Sequence, residues 1–382
     1  MCGASAASGW RPACASAPRA FPTPVPPVPC AFPTLQAAHP NSHQVRRNHG
    51  QTPWIWVRSL VAPESGEPPV HRFVTCTASL AHTRHDGAMD PAIEIRALGG
   101  AARWGDLVMR GVSEHAITTA LRRGVVVRAG RGVYALRDAR PEVVAARAFR
   151  GQVACVSACS WWGFKMLGSP SSPHVSVPRD RSNSRPGARD LDSVELHRTA
   201  SCDLTELVEQ PLVAIDRAAL CTTPLEQLVI VDSALRSGLV DRRELDWLAT
   251  GSVKRRQWLR ANAHPGADSV GETVARVALT AAGLKPVVQA RRDDVGRVDL
   301  EVAGRVVVEV DGYEAHSRFK AFTEDRRRDR TVAVSGGTTL RFTYWDVVEE
   351  IHSLVDQVSR VVGRHPSARF LARMAWMTDP AP

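Results

Sequence analysis

The chain has little lysine, and this lack weakens the simplest argument from its charge. Of its 49 basic residues only Lys165, Lys254, Lys285 and Lys320 are lysine, so arginine supplies nearly all of the formal net charge of +10. Such a bias, together with abundant Ala and Val, indicates a GC-rich genome as much as selection for phosphate binding. The net charge alone therefore does not predict a nucleic-acid partner, and local clusters of arginine carry more weight.

Long apolar runs are also lacking. A helix needs about 18 consecutive apolar residues to cross a bilayer, and the most apolar stretch, residues 153–167, is interrupted by Ser157, Ser160 and Lys165. We therefore expect a cytoplasmic protein without a membrane partner. With 382 residues, the chain is long enough for two or three domains.

Paired cysteines are absent. The eight cysteines stand at positions 2, 14, 30, 76, 155, 159, 202 and 221, with no CxxC pair and no histidine at the spacing of a zinc motif. We therefore expect no structural metal, and a reducing compartment fits this cysteine usage best. Cys155 and Cys159 lie four residues apart in an apolar stretch, which predicts small buried thiols rather than a redox pair.

Residues 1–88 contain no acidic residue before Glu64 and hold 13 of the 26 prolines, without a sustained hydrophobic period. We expect this segment to be disordered. It has neither the early basic cluster nor the apolar core of a secretory signal. Met89 is the second methionine of the chain, so a translation start there is the preferred interpretation; a functional tail and a transit peptide are the alternatives.

Residues 89–138 have the pattern of a winged helix-turn-helix domain. The predicted elements are a helix at 101–110 closed by Gly111, a helix capped by Ser113 that runs to Arg123 and ends at Gly124, and strands at 125–128 and 133–136. In this order the second helix is the one that a DNA-binding domain inserts into the major groove.

The second helix and the turn between the strands carry four arginines suited to phosphate and groove contacts: Arg122, Arg123, Arg128 and Arg131. Winged helices also serve as protein-docking modules, so DNA contact and protein contact both stay open. Through residues 101–104 and 132–134, the stretch resembles the N-terminal domain of AbiE-type antitoxins. This resemblance implies a DNA-binding module and a partner such as a toxin encoded nearby.

Residues 139–262 are expected to form a linking α+β domain. The predicted elements are a helical stretch at 141–167, strands at 174–178 and 194–197, and helices within 212–248, one of them beginning at Thr223-Pro224. His174 and His197 are isolated, which predicts packed or solvated side chains. A run of basic residues precedes the last domain and predicts a solvated face or a surface that steers DNA: Lys254, Arg255, Arg256 and Arg260.

The last domain, at 266–365, places carboxylates inside apolar strands. A helix at 269–282 contains Glu272, and strands at 297–302 and 305–311 follow. The period of two puts Asp299 with Glu301 on one strand face, and Glu309 with Asp311 on the next. An ionised group in such a position costs several kcal/mol unless it is paired or bound to a cation. Asp299 and Glu309 are thus predicted to hold a divalent metal; the alternative is a solvated pair balanced by Arg297 and Arg305.

The sequence downstream adds polar residues at regular spacing. Gly312 and His316 follow the second strand, a helix carries Asp325, Arg328 and Asp329 on one face, and a strand at 339–343 contains Arg341. This order resembles the PD-(D/E)XK nuclease superfamily, in particular the very-short-patch-repair endonucleases. The resemblance implies a restriction-endonuclease-like mixed sheet flanked by helices, and an α+β multidomain protein overall.

The resemblance also assigns roles. Asp299 and Glu309 would bind Mg²⁺ or Mn²⁺, with Glu272 joining directly or through water. His316 would activate the water or protonate the leaving oxygen, or else hydrogen bond within the fold. Arg328 and Arg341 would hold phosphate or lock the acidic cluster. The position usually occupied by Lys is Asp311, which leaves the general base open.

These features predict a divalent-metal-dependent DNA endonuclease with a DNA-binding module, followed by a C-terminal tail at 366–382. The alternative is a catalytically inactive DNA-binding regulator or antitoxin of a type IV toxin-antitoxin system. A third possibility is an RNA-directed toxin, because a metal site that recognises phosphate does not choose between sugars.

Overall fold

A computed structural model describes residues 56–60, 71–75, 89–180, 194–200, 202–293, 295–311 and 319–379. These residues form a mixed α/β structure of the α+β type, in which helices accompany several small sheets. The described helices include none that is both long and apolar enough to span a membrane.

The first described strands are β1 (Trp56–Leu60) and β2 (His71–Thr75), which pair antiparallel. They fall within the segment expected to be disordered, and the rest of that segment lies outside the described residues. The next elements are α1 (Pro91–Ala97), β3 (Ala101–Arg103), α2 (Trp104–Met109), α3 (Glu114–Arg122), β4 (Val126–Gly130) and β5 (Val133–Leu136). The strands form a sheet in the order β3-β5-β4.

The predicted helix at 101–110 is wrong in its first turn. Ala101 and Ala102 are buried and pair with Ala135 and Tyr134 of β5, so they form a strand instead. Tertiary packing explains the difference, because two small residues can pack as an edge strand beside β5. The predicted cap of α3 is confirmed: the Ser113 hydroxyl accepts a hydrogen bond from the Ala116 N–H at 3.1 Å.

The central part of the chain continues with α4 (Pro141–Phe149), β6 (Gln152–Val153), α5 (Cys155–Trp161), β7 (His174–Pro178), β8 (Glu195–Thr199), α6 (Pro211–Ala218), α7 (Pro224–Ser237), a 3-10 helix (Arg242–Trp247) and α8 (Val253–Asn262). The predicted helical stretch at 141–167 is therefore interrupted. Arg150 ends α4 in the left-handed region, at φ 54°, and at Gly151 an added Cβ would lie 2.2 Å from the Ser176 carbonyl oxygen. Close approach to β7 breaks the helix there.

The basic run before the last domain is not one solvated face. Arg255 is only 3% exposed and donates to the carbonyls of Ala219 and Thr223, each at 3.0 Å. Burial lowers the pKa of Arg255 to about 10. The prediction was wrong for this residue, because α8 packs on α7 and turns Arg255 toward the loop that precedes α7.

The last elements are α9 (Val270–Ala281), β9 (Pro286–Arg292), β10 (Gly296–Val302), β11 (Val306–Asp311), α10 (Phe319–Val334), β12 (Thr338–Thr343), α11 (Tyr344–Val348), α12 (Ile351–Val362) and α13 (Phe370–Thr378). The sheet has the order β12-β11-β10-β9, and β12 runs parallel to β11 while the other pairs are antiparallel. β9 escaped the sequence prediction.

Helices cover both faces of this sheet. Leu300 and Val308 belong to the core cluster that also contains residues of α9 and α12, whereas Val307 packs with Val332 of α10 in a separate cluster. The segment predicted as a C-terminal tail contains α13, where Met374 and Met377 are buried in the main core. The two carboxylate-bearing strands thus lie at the centre of a covered sheet.

Candidate metal centre of the C-terminal sheet

Asp299 and Glu309 lie where the pairing of β10 with β11 ends. The regular register ends with the pair of Leu300 and Val308. Asp299 and Glu309 are the next residues beyond this pair, one on each strand. The two carboxyl groups lie close enough for each to shift the pKa of the other, and Asp299 Oδ2 accepts from the Val310 N–H at 2.9 Å. The convergence of these two acids, predicted from the strand period and the turn between the strands, is present in the structure.

The pair holds more negative charge than its surroundings favour. Glu309 is 9% exposed. Burial, followed by the neighbouring Asp299 carboxylate, raises the pKa of Glu309 to about 7, although Arg328 and Arg341 oppose the shift. Burial also raises the pKa of Asp299. Without a cation the pair therefore tends to keep one proton between its two carboxyl groups.

Glu272 approaches the pair from α9. Ser269 caps this helix, with its hydroxyl accepting from the Glu272 N–H at 3.1 Å. The buried Glu272 carboxylate accepts from the Asp268 N–H at 2.8 Å and from Gln289 Nε2 at 2.7 Å. Burial raises its pKa, and the charge of Asp299 adds to the effect.

Gln289 links Glu272 to the irregular part of the sheet. Its backbone has φ 51°, and the pairing of β9 with β10 skips both Gln289 and Asp299. The Gln289 Oε1 atom is buried and without a hydrogen-bond partner. An unsatisfied oxygen on the side chain that binds Glu272 fits a hard divalent cation and its water ligands.

Two arginines of the following elements neutralise part of the charge. Arg328 of α10 donates to Glu309 Oε1 at 3.2 Å and to the Arg297 carbonyl at 2.6 Å. Arg341 of β12 lies 3.0 Å from Asp329 and 3.9 Å from Asp311. Both arginines make ion pairs within the fold. These contacts are the ones expected of residues that hold the acidic side chains in place.

The alternative interpretation, in which Arg297 and Arg305 balance the charge of Asp299 and Glu309, does not agree with the contacts of these arginines. Arg297 pairs with Asp268 at 2.7 Å instead of balancing the acids of its own strand. Arg305 donates to the carbonyls of Val361 and Val362, at 3.1 and 2.8 Å. Neither arginine serves as the counter-charge of Asp299 or Glu309.

Asp311 differs from Glu309 in its surroundings. Its side chain is 51% exposed, and it lines a shallow cavity of about 210 Å³ together with Lys165, Tyr344 and Ser269. Gly312 and His316 lie outside the described residues, as does the side chain of Asp325. Lys165 comes from the central part of the chain, so sequence proximity to the strands gave no sign of it.

No model of a known protein family matches the chain, and no curated protein is similar to it. The chemistry of the site therefore has to follow from its own residues. Three buried or half-buried carboxyl groups with raised pKa values converge in the middle of the sheet, where β10 and β11 cease to pair, and two arginines supply nearby positive charge.

The arginines of the proposed DNA-contacting surface at 89–138 are all exposed: Arg122, Arg123, Arg128 and Arg131. Arg128 donates to the Tyr134 hydroxyl at 3.3 Å and lies over its ring at 5.8 Å. On α3 the side chain of Ile117 is buried, as expected for the inward face.

One group of potential ligands was missed from the sequence. Side chains of Cys155, His174, His197 and Cys221 offer ligand atoms that all lie within 4.8 Å of one another. They come from α5, β7, β8 and the turn after α6, so no short spacing links them. The only signal in the sequence was that cysteine and histidine are common metal ligands. Nothing in the sequence indicated that His174 and His197 lie next to each other.

The buried carboxyl pair predicts a specific pH dependence of the metal-free protein. Its raised pKa means that folded Glu309 binds a proton more tightly than the unfolded residue does. This stabilisation is fully present below about pH 4.5 and is lost as pH rises through about 7. We expect the free energy of unfolding to fall by up to about 3 kcal/mol across this window from this group.

Chemical unfolding monitored by circular dichroism at a series of pH values measures this slope. The Glu309→Gln variant is expected to lose this part of the slope, since glutamine does not titrate. At pH 7 and above, added Mg²⁺ is expected to restore stability to the wild type and not to the variant. Equal slopes in the two proteins would contradict the assignment.

Proposed function

We propose that residues 266–365 form a divalent-metal-dependent endonuclease domain of the PD-(D/E)XK type. The observation that carries the proposal is the adjacent carboxyl pair of Asp299 and buried Glu309, next to buried Glu272. The order of elements supports it: a helix with the glutamate, strands with the two acids, a helix with Arg328 and a parallel strand with Arg341.

The donor set fits Mg²⁺ or Mn²⁺. Asp299 and Glu309 would hold the ion, and Glu272 would contribute directly or through water, because carboxylate and water oxygens are the ligands that these hard cations prefer. When bound, the ion lowers the pKa of a coordinated water and offsets the negative charge that develops on a phosphodiester.

The remaining residues position the acids and the phosphate. Arg328 holds Glu309 in place and joins the helix to the sheet, and Arg341 holds Asp329 and lies near Asp311. Asp311 stands at the position that is usually Lys in this superfamily. The motif therefore does not identify the residue that accepts the proton of the attacking water. Lys165 brings an ammonium group to the same cavity as Asp311.

Strand cleavage by the purified full chain tests the proposal. Supercoiled plasmid, linear duplex DNA, single-stranded DNA and RNA are incubated side by side with Mg²⁺, with Mn²⁺ and with a chelator. Metal-dependent nicking of duplex DNA is the expected result. Cleavage confined to RNA would instead favour the RNA-directed toxin. A protein that binds neither metal and cuts none of the substrates would overturn the enzyme proposal.

We also propose that residues 89–138 form a winged helix-turn-helix domain that contacts DNA. The support is topological: α2 and α3 are joined by a short turn, and the hairpin of β4 and β5 follows, completed by β3 at the sheet edge. α3 would enter the groove and the β4–β5 turn would act as the wing.

Replacing both Arg122 and Arg123 by alanine is expected to weaken DNA binding by this domain. Two lost phosphate contacts reduce the slope of log affinity against log salt by about two. Fluorescence anisotropy with a labelled duplex at several salt concentrations measures this slope. The matched control is Arg96→Ala, which removes an exposed arginine from α1. Equal slopes for wild type and double variant would exclude α3 as the contact surface.

The rival function is a DNA-binding regulator or antitoxin whose nuclease fold does not cut. It is favoured by Asp311 at the position of the usual Lys. In that case the Arg122 and Arg123 double variant loses operator binding while Asp299→Ala changes no measured activity. A toxin encoded by a neighbouring gene would then be the expected protein partner.

A further inference from the structure

The central part of the chain contains a second, separate group of metal-binding side chains. Cys155 begins α5, His174 begins β7, His197 lies in β8, and Cys221 lies in the turn between α6 and α7. Cys155 is 0% exposed and the two imidazoles are 7% and 6% exposed, while Cys221 is exposed. Three buried ligands and one at the surface leave a route by which an ion can enter.

Two of the separations between the ligand atoms lie close to those of a tetrahedral zinc site, and all four atoms lie within 4.8 Å of one another. His174 Nδ1 lies 3.0 Å from His197 Nε2, and Cys221 Sγ lies 3.8 Å from the same nitrogen. With Zn–N of about 2.0–2.1 Å and Zn–S of about 2.3 Å, tetrahedral geometry places two nitrogens about 3.4 Å apart and a sulfur and a nitrogen about 3.6 Å apart. Sub-ångström shifts would bring these atoms to the separations of a bound ion.

The surrounding fold holds each of the cysteines in place. Cys155 has φ 54°, a conformation that a non-glycine residue rarely adopts. The buried Glu209 fixes it, accepting from the Cys155 N–H at 3.2 Å while it pairs with Arg217 at 2.7 Å. Backbone strain stabilised by a buried ion pair is typical of a functional position.

Cys221 is positioned by the buried arginine of α8. Arg255 donates to the carbonyls of Ala219 and Thr223 and to the Thr222 hydroxyl, so it binds the turn on both sides of Cys221. On the opposite side, the Ser157 hydroxyl accepts from the His174 N–H at 3.0 Å. Hydrogen bonds of this kind fix ligand-bearing backbone before a metal arrives.

We propose that these four side chains together bind one Zn²⁺ ion as a closed structural site. Two thiolates with two imidazoles in a tetrahedral array select Zn²⁺ over Mg²⁺ or Ca²⁺, which prefer oxygen. Four protein ligands leave no open position for substrate, so the ion stabilises the fold instead of catalysing a reaction. It joins α5, β7, β8 and the α6–α7 turn, which lie far apart along the chain.

Both cysteines would bind the ion as thiolates, so zinc binding would release their thiol protons.

The metal content of the untagged full chain tests the site. Protein is expressed in zinc-supplemented medium and purified under reducing conditions. It is expected to carry about one zinc per chain, measured by inductively coupled plasma mass spectrometry. The double variant Cys155→Ser, Cys221→Ser is expected to carry almost none. The matched controls Cys159→Ala and Cys202→Ala each remove a cysteine outside the four ligands and are expected to keep the ion.

A second measurement remains decisive if the double variant fails to fold. Wild-type protein loaded with Co²⁺ is expected to show thiolate-to-cobalt charge transfer and the visible bands of a tetrahedral ion. Wild-type protein that is purified without zinc and shows none of these bands when loaded with Co²⁺ would overturn the proposal. A Cys155–Cys221 disulfide in protein freshly purified under reducing conditions would overturn it as well. Loss of nuclease activity alone bears on the carboxylate site and not on this one.

Discussion

Replacing Glu309 by glutamine is expected to reduce Mg²⁺-dependent DNA cleavage by about 10³-fold or more. The variant keeps the size of the side chain and removes one of two carboxylates that would hold the ion. Asp299→Asn is expected to have an effect of the same order, because the two groups act as one ligand pair. Initial rates of plasmid nicking at saturating metal, with isothermal titration of Mn²⁺, measure turnover and binding separately.

The matched control is Glu301→Gln on β10, the strand that also carries Asp299. Glu301 pairs with Arg292 at 2.7 Å and does not take part in the carboxyl pair. Its substitution is expected to leave the cleavage rate within about twofold, because glutamine still offers an oxygen to Arg292 and no ligand of the proposed ion is lost. Full activity of both Asp299→Asn and Glu309→Gln, with unchanged Mn²⁺ binding, would place the metal and the reaction elsewhere.

Removing the carboxylate of Asp232 is expected to destabilise the protein by about 3–5 kcal/mol, the usual cost of breaking a buried ion pair. Asp232 of α7 is 1% exposed and its partner, Arg276 of α9, is 6% exposed. Asp232 Oδ2 accepts from Arg276 at 2.8 Å and from the Thr273 hydroxyl at 2.9 Å. Asp232→Ala leaves the guanidinium buried without its counter-charge.

Chemical unfolding of Asp232→Ala and of the double variant Asp232→Leu, Arg276→Met measures this effect. The double variant is expected to recover much of the loss, since it also removes the unpaired charge. The control is Asp356→Ala, which breaks an exposed pair with Arg360 and should change stability by less than about 1 kcal/mol. A loss below about 1 kcal/mol in Asp232→Ala would show that α7 and α9 do not depend on this contact.

Local features of the carboxylate site were accessible from the sequence. The period of two places Asp299 and Glu309 on strands, and the turn between those strands brings them together. Arg328 and Asp329 follow Asp325 at the helical intervals of three and four on α10, and each of the two makes an ion pair. What the sequence left open was the partner of each charge: Arg297 and Arg305 are closer along the chain, yet they bind elsewhere.

The strand β9 and the burial of Arg255 show where local patterns fail. Residues 286–292 end in Gln-Ala-Arg-Arg, which lacks clear alternation, and the strand is held by its pairing with β10. Arg255 stands among basic neighbours in a sequence typical of a solvated face. Its burial follows from the packing of α8 on α7 and from carbonyls that need donors.

The sequence by itself determined the features that depend on neighbours a few residues away. Ser113, Thr223 and Ser269 cap their helices because a side chain reaches the third N–H along the chain. Tertiary structure alone decided the features that depend on strand order and helix packing. The two histidines of the proposed zinc site meet because β7 and β8 lie side by side in parallel, a pairing that no local periodicity encodes. The two cysteines reach them from α5 and from the turn after α6.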